Sequence, residues 1–489
     1  MFRLLYILLS RKGNKKIFSR KRYNNNHTFL NFYLGENYIK PTSMQEHIVI
    51  IGNGISGVTT ARHIRKASDK KITIISAETD HFFSRTALMY IYMGHMKYEH
   101  TKPYEDYFWK KNRIDLKRAF VETVDHENKQ LLLSGGEKMS YDKLVLAVGS
   151  KPNKFGWPGQ DLDGVQGLYS KQDLDKLEAN APDNKTCKRA VVVGGGLIGI
   201  EMVEMLLTRD IPVTFLVREN NFWNGVLPLG ESQMLNRHIK SHHVDLRLGF
   251  NLDSILADDH GKVRAITIKE TGEEIACNVV GLTAGVSPNV AFLKDSGIEI
   301  GRGIKVNPML ETNIKDIYAI GDCAEQHEGI NGRRPIEAVW YTGRMMGEAL
   351  AQTLTGKPTA YNPGHWFNSA KFMDIEYQTY GWVFSKPKEG NTHFHWMHKD
   401  DNKCITIEMQ EGTRKFIGIN NFGIRLRHEL FDRWLTEGQT TDYVLEHLKD
   451  ANFDPELYTH YEKEILAEYN KQYGTSLAPK KKSWKRIFA

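Results

Sequence analysis

Two sets of glycines carry the first chemical signal in this 489-residue chain. Gly52, Gly54 and Gly57 follow the apolar run His47–Ile51, and Gly194, Gly196 and Gly199 follow Arg189–Val193, each at Gly-x-Gly-x-x-Gly spacing. Ile55 and Ser56 fill the interval in the first set, Leu197 and Ile198 in the second. Helical patterns follow directly, Val58–Ala67 and Ile200–Leu207. A short apolar strand, a glycine turn and a helix together aim backbone N–H groups at a pyrophosphate. The first glycine permits the turn, the second lets backbone approach the phosphates, and the third lets helix and strand pack closely. Two such units predict two dinucleotide sites.

Charged residues beyond each unit indicate what is held there. The predicted strand Lys71–Ser76 ends near Glu78, roughly twenty residues past the glycines, where a carboxylate holds a ribose hydroxyl. Arg85 follows in a loop and suits either a pyrophosphate clamp or solvent. In the second unit the strand Pro212–Val217 ends without an acid, and Arg218 and Glu219 come next. A guanidinium in place of a carboxylate favours a 2′-phosphate and hence NADPH, Glu219 keeps NADH open, and a solvent-facing Arg218 is a third reading. Further on, the buried run Asp316–Ile320 delivers Asp322 behind Gly321, placed to bind a ribityl hydroxyl or to cap a helix.

The elements that must position these residues are short. Leu116–Val124, which includes Val121 as a cofactor contact, and Lys129–Leu133 predict a strand pair. Tyr141–Ser150 predicts a buried strand carrying Ala147 and Gly149 to the cofactor, with a linker at Pro152 and Trp157–Gly159. Strands at Val263–Ile268 and Asn278–Leu282 precede Thr283–Asn289, which contains Gly285 and Pro288. From Tyr361 the pattern changes to alternating strands, including Thr392–Met397, Lys403–Gln410 and Lys415–Asn420. Helices over Arg425–Leu435, Tyr443–Asp450 and Leu457–Tyr473 complete an α+β domain.

Composition sets limits. The net charge of +7 is made at the chain's ends, since nine of the 66 basic residues and one of the 59 acidic ones fall in residues 1–43, and Lys480–Arg486 is basic again. The body between carries a small negative charge, which argues against nucleic acid as a partner. Residues 1–43 contain no Ala, Val or Asp and are expected to be a disordered or upstream leader. Their apolar block Leu4–Leu9 is too short to span a bilayer, and peripheral membrane contact stays open. Cys187, Cys277, Cys323 and Cys404 lie far apart, without zinc or disulfide spacing, which suits a reducing cytoplasm. His393, His395 and His398 lack a nearby completing ligand, so no metal site is expected.

The ordered set of Gly52–Gly57, Glu78, Arg85, Tyr141–Gly149, Gly194–Gly199, Gly285 with Pro288, and Tyr318–Ala324 resembles the FAD-dependent pyridine nucleotide oxidoreductases. The resemblance implies an α/β fold with two Rossmann-like domains: a discontinuous FAD domain, 44–155 and 283–357, interrupted by an NAD(P) domain, 156–282. The C-terminal α+β domain, 361–479, and a basic tail, 480–489, follow. No cysteine precedes Cys187, which disfavours the branches that use redox-active thiols. The closer similarity is to the branch that reduces ferredoxin or rubredoxin, in which a lysine pairs with a glutamate near the flavin. Glu201 matches the glutamate, Tyr90 stands at the lysine position, and Trp340 falls where an aromatic approaches the flavin. The implied activity is hydride transfer from NAD(P)H to FAD and on to a non-thiol acceptor such as an iron–sulfur protein. A membrane quinone reductase, a flavin-bearing assembly protein and a homodimer stay open.

Overall fold

A computed structural model of the protein describes residues 45–327, 329–453 and 459–480. The leader, residues 1–43, and the tail beyond Lys480 lie outside the described residues.

The isoleucine- and valine-rich run His47–Ile51 is buried at the centre of a five-stranded parallel sheet. Edge to edge, the order is Ile317–Ala319, Lys143–Leu146, His47–Ile51, Lys71–Ser76 and Ile114–Arg118. Strands this uniformly apolar need cover on both faces. The helices Ile55–Ala67 and Trp340–Leu354 supply part of it and pack on each other. Leu144 pairs with Ile317, so a strand reached only after a long excursion completes the first sheet.

That excursion builds a second parallel sheet, ordered Asp245–Leu248, Val213–Val217, Ala190–Val193, Val279–Leu282 and Val165–Gln166. The chain leaves the first sheet through Ser150–Pro152 and returns through Val286–Pro288, and these two crossings pair antiparallel. The fold is therefore α/β with two Rossmann-like units, the first discontinuous, and an α+β unit at the C-terminus. In that last unit an antiparallel sheet runs Phe367–Phe372, Ile375–Gly381, Phe416–Phe422, Cys404–Gln410 and Asn391–Met397. Its core includes Phe394, Phe431, Trp434 and Tyr469.

The structure departs from the sequence expectations in specific places. Leu116–Val124 is two strands, because Ile114–Arg118 joins the parallel sheet while Val121–Asp125 pairs with Gln130–Leu133 in a separate sheet. Apolar spacing does not record that change of partner. Both motif helices begin earlier than their periodicity indicates, at Ile55 and Leu197, because the glycine turn and not apolar spacing sets the first turn. The helix expected from Arg425 begins at His428, since Leu426 N donates instead to Gln378 Oε1 at 2.9 Å.

One core joins the second unit to the C-terminal sheet. Met202, Phe215 and Phe222 pack in the same cluster as Phe372, Tyr377 and Phe422. Glu231, on the helix Leu229–Ser241, is fully buried against that sheet, and its Oε2 accepts from Asn420 Nδ2 at 2.9 Å. Burial pushes the Glu231 carboxyl up to about 8, with Thr406 and Asn420 pulling the other way. A carboxyl raised above its unfolded value contributes stability that is complete below the unfolded pKa and lost as pH rises through the folded one. The wild type should thus lose stability from about pH 5 to about pH 8, by on the order of 1 kcal/mol per pH unit from this group. Glu231→Gln should flatten that slope in thermal melts. A variant whose melting temperature tracks the wild type at every pH would remove Glu231 as the cause.

Candidate active site

The strand ends of the first sheet and the start of the helix Leu197–Leu207 enclose a cavity of about 830 Å³. Ligands in open α/β sheets bind at the carboxyl ends of the strands, and this cavity lies there. It is lined by Gly52, Gly54, Ile55, Ser56, Glu78, Arg85, Val121, Ala147, Gly149, Leu197, Ile198, Glu201, Asp322 and Trp340. Gly57, Gly194, Gly196, Gly199, Arg218, Gly285, Gly321 and Tyr90 lie off its wall.

The two glycine turns share one set of mechanics. Gly52 and Gly194 adopt φ +112° and +120°, the left-handed side that favours glycine. A Cβ on Gly57 would lie 2.2 Å from Gly52 O, and one on Gly199 would lie 2.2 Å from Gly194 O. Both third glycines therefore serve packing. Gly54 and Gly196 have nothing within 4 Å of a Cβ position, and neither helix that they precede has a side-chain cap. Uncapped N–H groups at a helix start attract an anion. Gly321 is a packing glycine too, since a Cβ there would lie 2.6 Å from Ser56 Oγ. Gly285 precedes the returning crossing strand, at φ +88°.

Behind the first turn runs a polar chain. Arg85 forks onto Glu78, with Nη1–Oε1 at 2.9 Å and Nη2–Oε2 at 2.5 Å, and Lys171 N also donates to Oε1 at 3.0 Å. Burial works against the Arg85 charge, yet its bonds to Glu78 hold it above the ordinary arginine range. Arg85 thus meets the cavity as half of an ion pair, where the sequence left it a clamp or a solvated side chain. Its guanidinium lies over the Tyr169 ring at 4.6 Å, and Tyr169 OH donates to Asp322 Oδ2 at 3.3 Å. Burial raises the Asp322 carboxyl, with Arg85 opposing. Tyr169 gave no sequence signal, because it enters from the excursion and meets Asp322 only in three dimensions.

Glu201 stands on the helix Leu197–Leu207, where burial, with Glu204 adding to it, holds its carboxyl up to about 7. It is therefore poised to gain or lose a proton near neutrality. Trp340 begins the helix Trp340–Leu354 and meets Tyr341 edge-on at 5.6 Å. Tyr90 is not among the residues that line the cavity. It sits on the short helix Leu88–Tyr92, whose Leu88 and Met89 face the cavity, while its own ring stacks on His95 at 6.0 Å. Successive helical residues point about 100° apart, so adjacent positions cannot all face one wall.

All four cysteines are buried, and none lines the cavity. Burial pushes the Cys187 thiol up to about 11 and those of Cys277 and Cys323 to about 12. Arg218 lies just past the buried strand Val213–Val217, 77% exposed and 3.0 Å from Glu219. His393 turns to Glu408 at 3.2 Å and His395 to Thr406 at 2.8 Å, so the two histidines have separate partners across the sheet.

The profile of the pyridine nucleotide-disulphide oxidoreductases matches residues 46–347. The chain belongs to that family. It is 30% identical over 345 residues to the NADH oxidase of Methanocaldococcus jannaschii, covering 67% of this chain and 74% of the relative. It is 29% identical over 321 residues to the rubredoxin-NAD(+) reductase of Acinetobacter baylyi, covering 64% and 79%. The crystal structure of NADH:rubredoxin oxidoreductase from Clostridium acetobutylicum is similar with a TM-score of 0.66 and 25% identity, over 81% of this chain and 97% of that one. The protein is an FAD-dependent NAD(P)H oxidoreductase. The residues present fit FAD: an uncapped helix start with an open second glycine, an acid past the second strand, and half-buried Asp322 along one cavity.

Gly54→Ala and Gly57→Ala separate binding from packing. Gly54 has φ −72°, which alanine adopts without strain, so that variant should fold with a near-normal melting temperature and lose FAD affinity by at least about 10-fold, measured by flavin fluorescence. Gly57→Ala should fail to fold. FAD affinity unchanged in Gly54→Ala would place the phosphates elsewhere.

Proposed function

We propose that this chain takes hydride from NAD(P)H onto FAD and delivers the electrons to a small iron–sulfur protein, without a thiol step. The observation that carries this reading is the placement of sulfur. Exchange with a disulfide needs an accessible thiolate, and all four thiols are buried away from the cavity. The name of the Acinetobacter relative supports the same acceptor class. Bound FAD supplies two-electron acceptance from a nicotinamide and release of single electrons.

The chain's residues bind, orient and screen. Backbone N–H groups beyond Gly54 hold the pyrophosphate, Glu78 takes the ribose, and Asp322 takes a ribityl hydroxyl. Arg85 neutralises Glu78 and lines the same cavity from within that pair. Val121, Ala147 and Gly149 wall the cofactor, and Gly285 and Gly321 shape the backbone at its far end. On the second unit, the turn Gly194–Gly199 holds NAD(P)H, with Leu197 and Ile198 reaching into the shared cavity. Glu201 would hold or release a proton at its carboxyl on the cavity wall. Trp340, on the same wall, would meet the bound cofactor. Among the described residues no helix is long and apolar enough to cross a membrane.

Exposed Arg218 is free to swing from Glu219 to a 2′-phosphate, so NADPH is the preferred donor. Arg218→Ala should raise KM for NADPH about 10-fold and leave NADH unchanged, the loss of one charge-assisted hydrogen bond. Equal effects on both would assign Arg218 to solvent. For the acceptor, steady-state rates should be compared among rubredoxin, ferredoxin, O2, a soluble quinone and coenzyme A disulfide. Rubredoxin or ferredoxin should exceed the others by at least about 10-fold in kcat/KM. Faster disulfide or quinone turnover would overturn the proposal, and slow turnover with every acceptor after fast flavin bleaching would mean a redox-switched assembly protein.

A further inference from the structure

Away from the cavity, the helix Leu229–Ser241 meets the C-terminal sheet at a cluster of two imidazoles and a carboxylate. His238 and His242 stand one helical turn apart, the latter at the helix's C-cap, with ring centroids separated by 4.7 Å. Asp374 comes from the turn between the strands Phe367–Phe372 and Ile375–Gly381. Its Oδ1 lies 2.6 Å from His238 Nε2 and 3.2 Å from His242 Nε2. One ligand atom from each residue falls within a sphere of mutual distances below 4.8 Å.

We propose that His238, His242 and Asp374 bind a late first-row divalent cation of the zinc type, which ties the NAD(P)-side helix to the C-terminal sheet.

Three observations carry this. First, the separations suit a shared centre. Metal bonds of about 2.0–2.1 Å at tetrahedral angles place ligand atoms roughly 3.3 Å apart. His242 already meets that spacing, and His238 needs to open by some tenths of an ångström. Second, His238 is 12% exposed, and its Nε2 is held 2.6 Å from Asp374 Oδ1 inside the junction. A largely buried imidazole nitrogen and a carboxylate oxygen already converge there on one point, as two ligands of one ion must. Third, the local charge is not otherwise balanced. Among the described residues no lysine or arginine lies within ion-pair distance of Asp374. Lys371, on the same hairpin, is taken by Glu204 at 2.6 Å, and Arg237, beside His238, is taken by Asp401 at 2.6 Å. Two nitrogens and one oxygen form a borderline set that suits zinc over magnesium or calcium. A cleft of about 280 Å³ beside His242 and Asp374 leaves room for a water as fourth ligand. The set crosses from one unit to another, so its occupant stabilises their junction and not the chemistry of the cavity.

Cobalt(II) is the probe, because its tetrahedral ligand-field bands lie on the red side of flavin absorption. Tag-free full-length holoprotein, stripped with chelator, should bind one Co²⁺ per chain with such bands, and Zn²⁺ should displace it stoichiometrically. Asp374→Asn and His242→Ala, both at exposed positions, should keep their flavin and lose Co²⁺ affinity by at least about 10-fold. His393→Ala should bind as the wild type does. The wild-type melting temperature should rise with Zn²⁺ while that of Asp374→Asn stays fixed. Absence of the bands, or equal affinity in wild type, Asp374→Asn and His242→Ala, would overturn the site and leave a simple histidine–aspartate pair.

Discussion

The contact on which this structure depends is the approach of each motif helix to the turn that precedes it. With Gly57 against Gly52 O and Gly199 against Gly194 O, neither helix has room for even one methyl group at the crossing. That closeness fixes the helix starts at the ends of two parallel sheets, without side-chain caps, so that their N–H groups remain for phosphates. A looser crossing would move the helix away from the strand and the anion site with it. The same geometry occurs twice in one chain, which is why a single cavity borders the first turn and also admits Leu197, Ile198 and Glu201 from the second unit.

Rigidity of the site comes from segments far apart in sequence that close on one another. The polar chain Glu78, Arg85, Tyr169 and Asp322 draws on three separate segments, and it balances half-buried charge by pairing. The crossing strands Ser150–Pro152 and Val286–Pro288 hold the inserted unit at both ends. Beyond them, the apolar cluster around Phe215, Phe372 and Phe422 fixes the second unit against the C-terminal sheet. Glu231 and the His238, His242 and Asp374 group lie in the same junction, one buried and neutralised by its pKa, the other at the edge with unspent ligand capacity.

The family's name records a disulphide that this chain has no accessible thiol to exchange. What the scaffold conserves in physical terms is the pair of phosphate cradles and the shared cavity between them. On the cavity wall here stand Trp340 and Glu201, and no cysteine. Fold similarity therefore fixes the hydride half of the chemistry and leaves the second half to local residues.

The sequence by itself determined the parts governed by local rules. Glycine spacing, short β-branched runs and an acid beyond the second strand specify strand, turn and helix because backbone sterics act over a few residues. Gly52–Gly57, Gly194–Gly199 and Glu78 were legible for that reason, and the discontinuous α/β plan only through the family resemblance that they carry. Tertiary structure alone decided where those elements met. The split of Leu116–Val124 followed from a change of strand partner, and Tyr169 reached Asp322 from a distant segment. Leu88 and Met89, and not Tyr90, line the cavity from their short helix. Asp374 met two histidines from another unit because a shared apolar core brought hairpin and helix together. Such meetings depend on packing over the whole chain, which residue spacing does not encode locally.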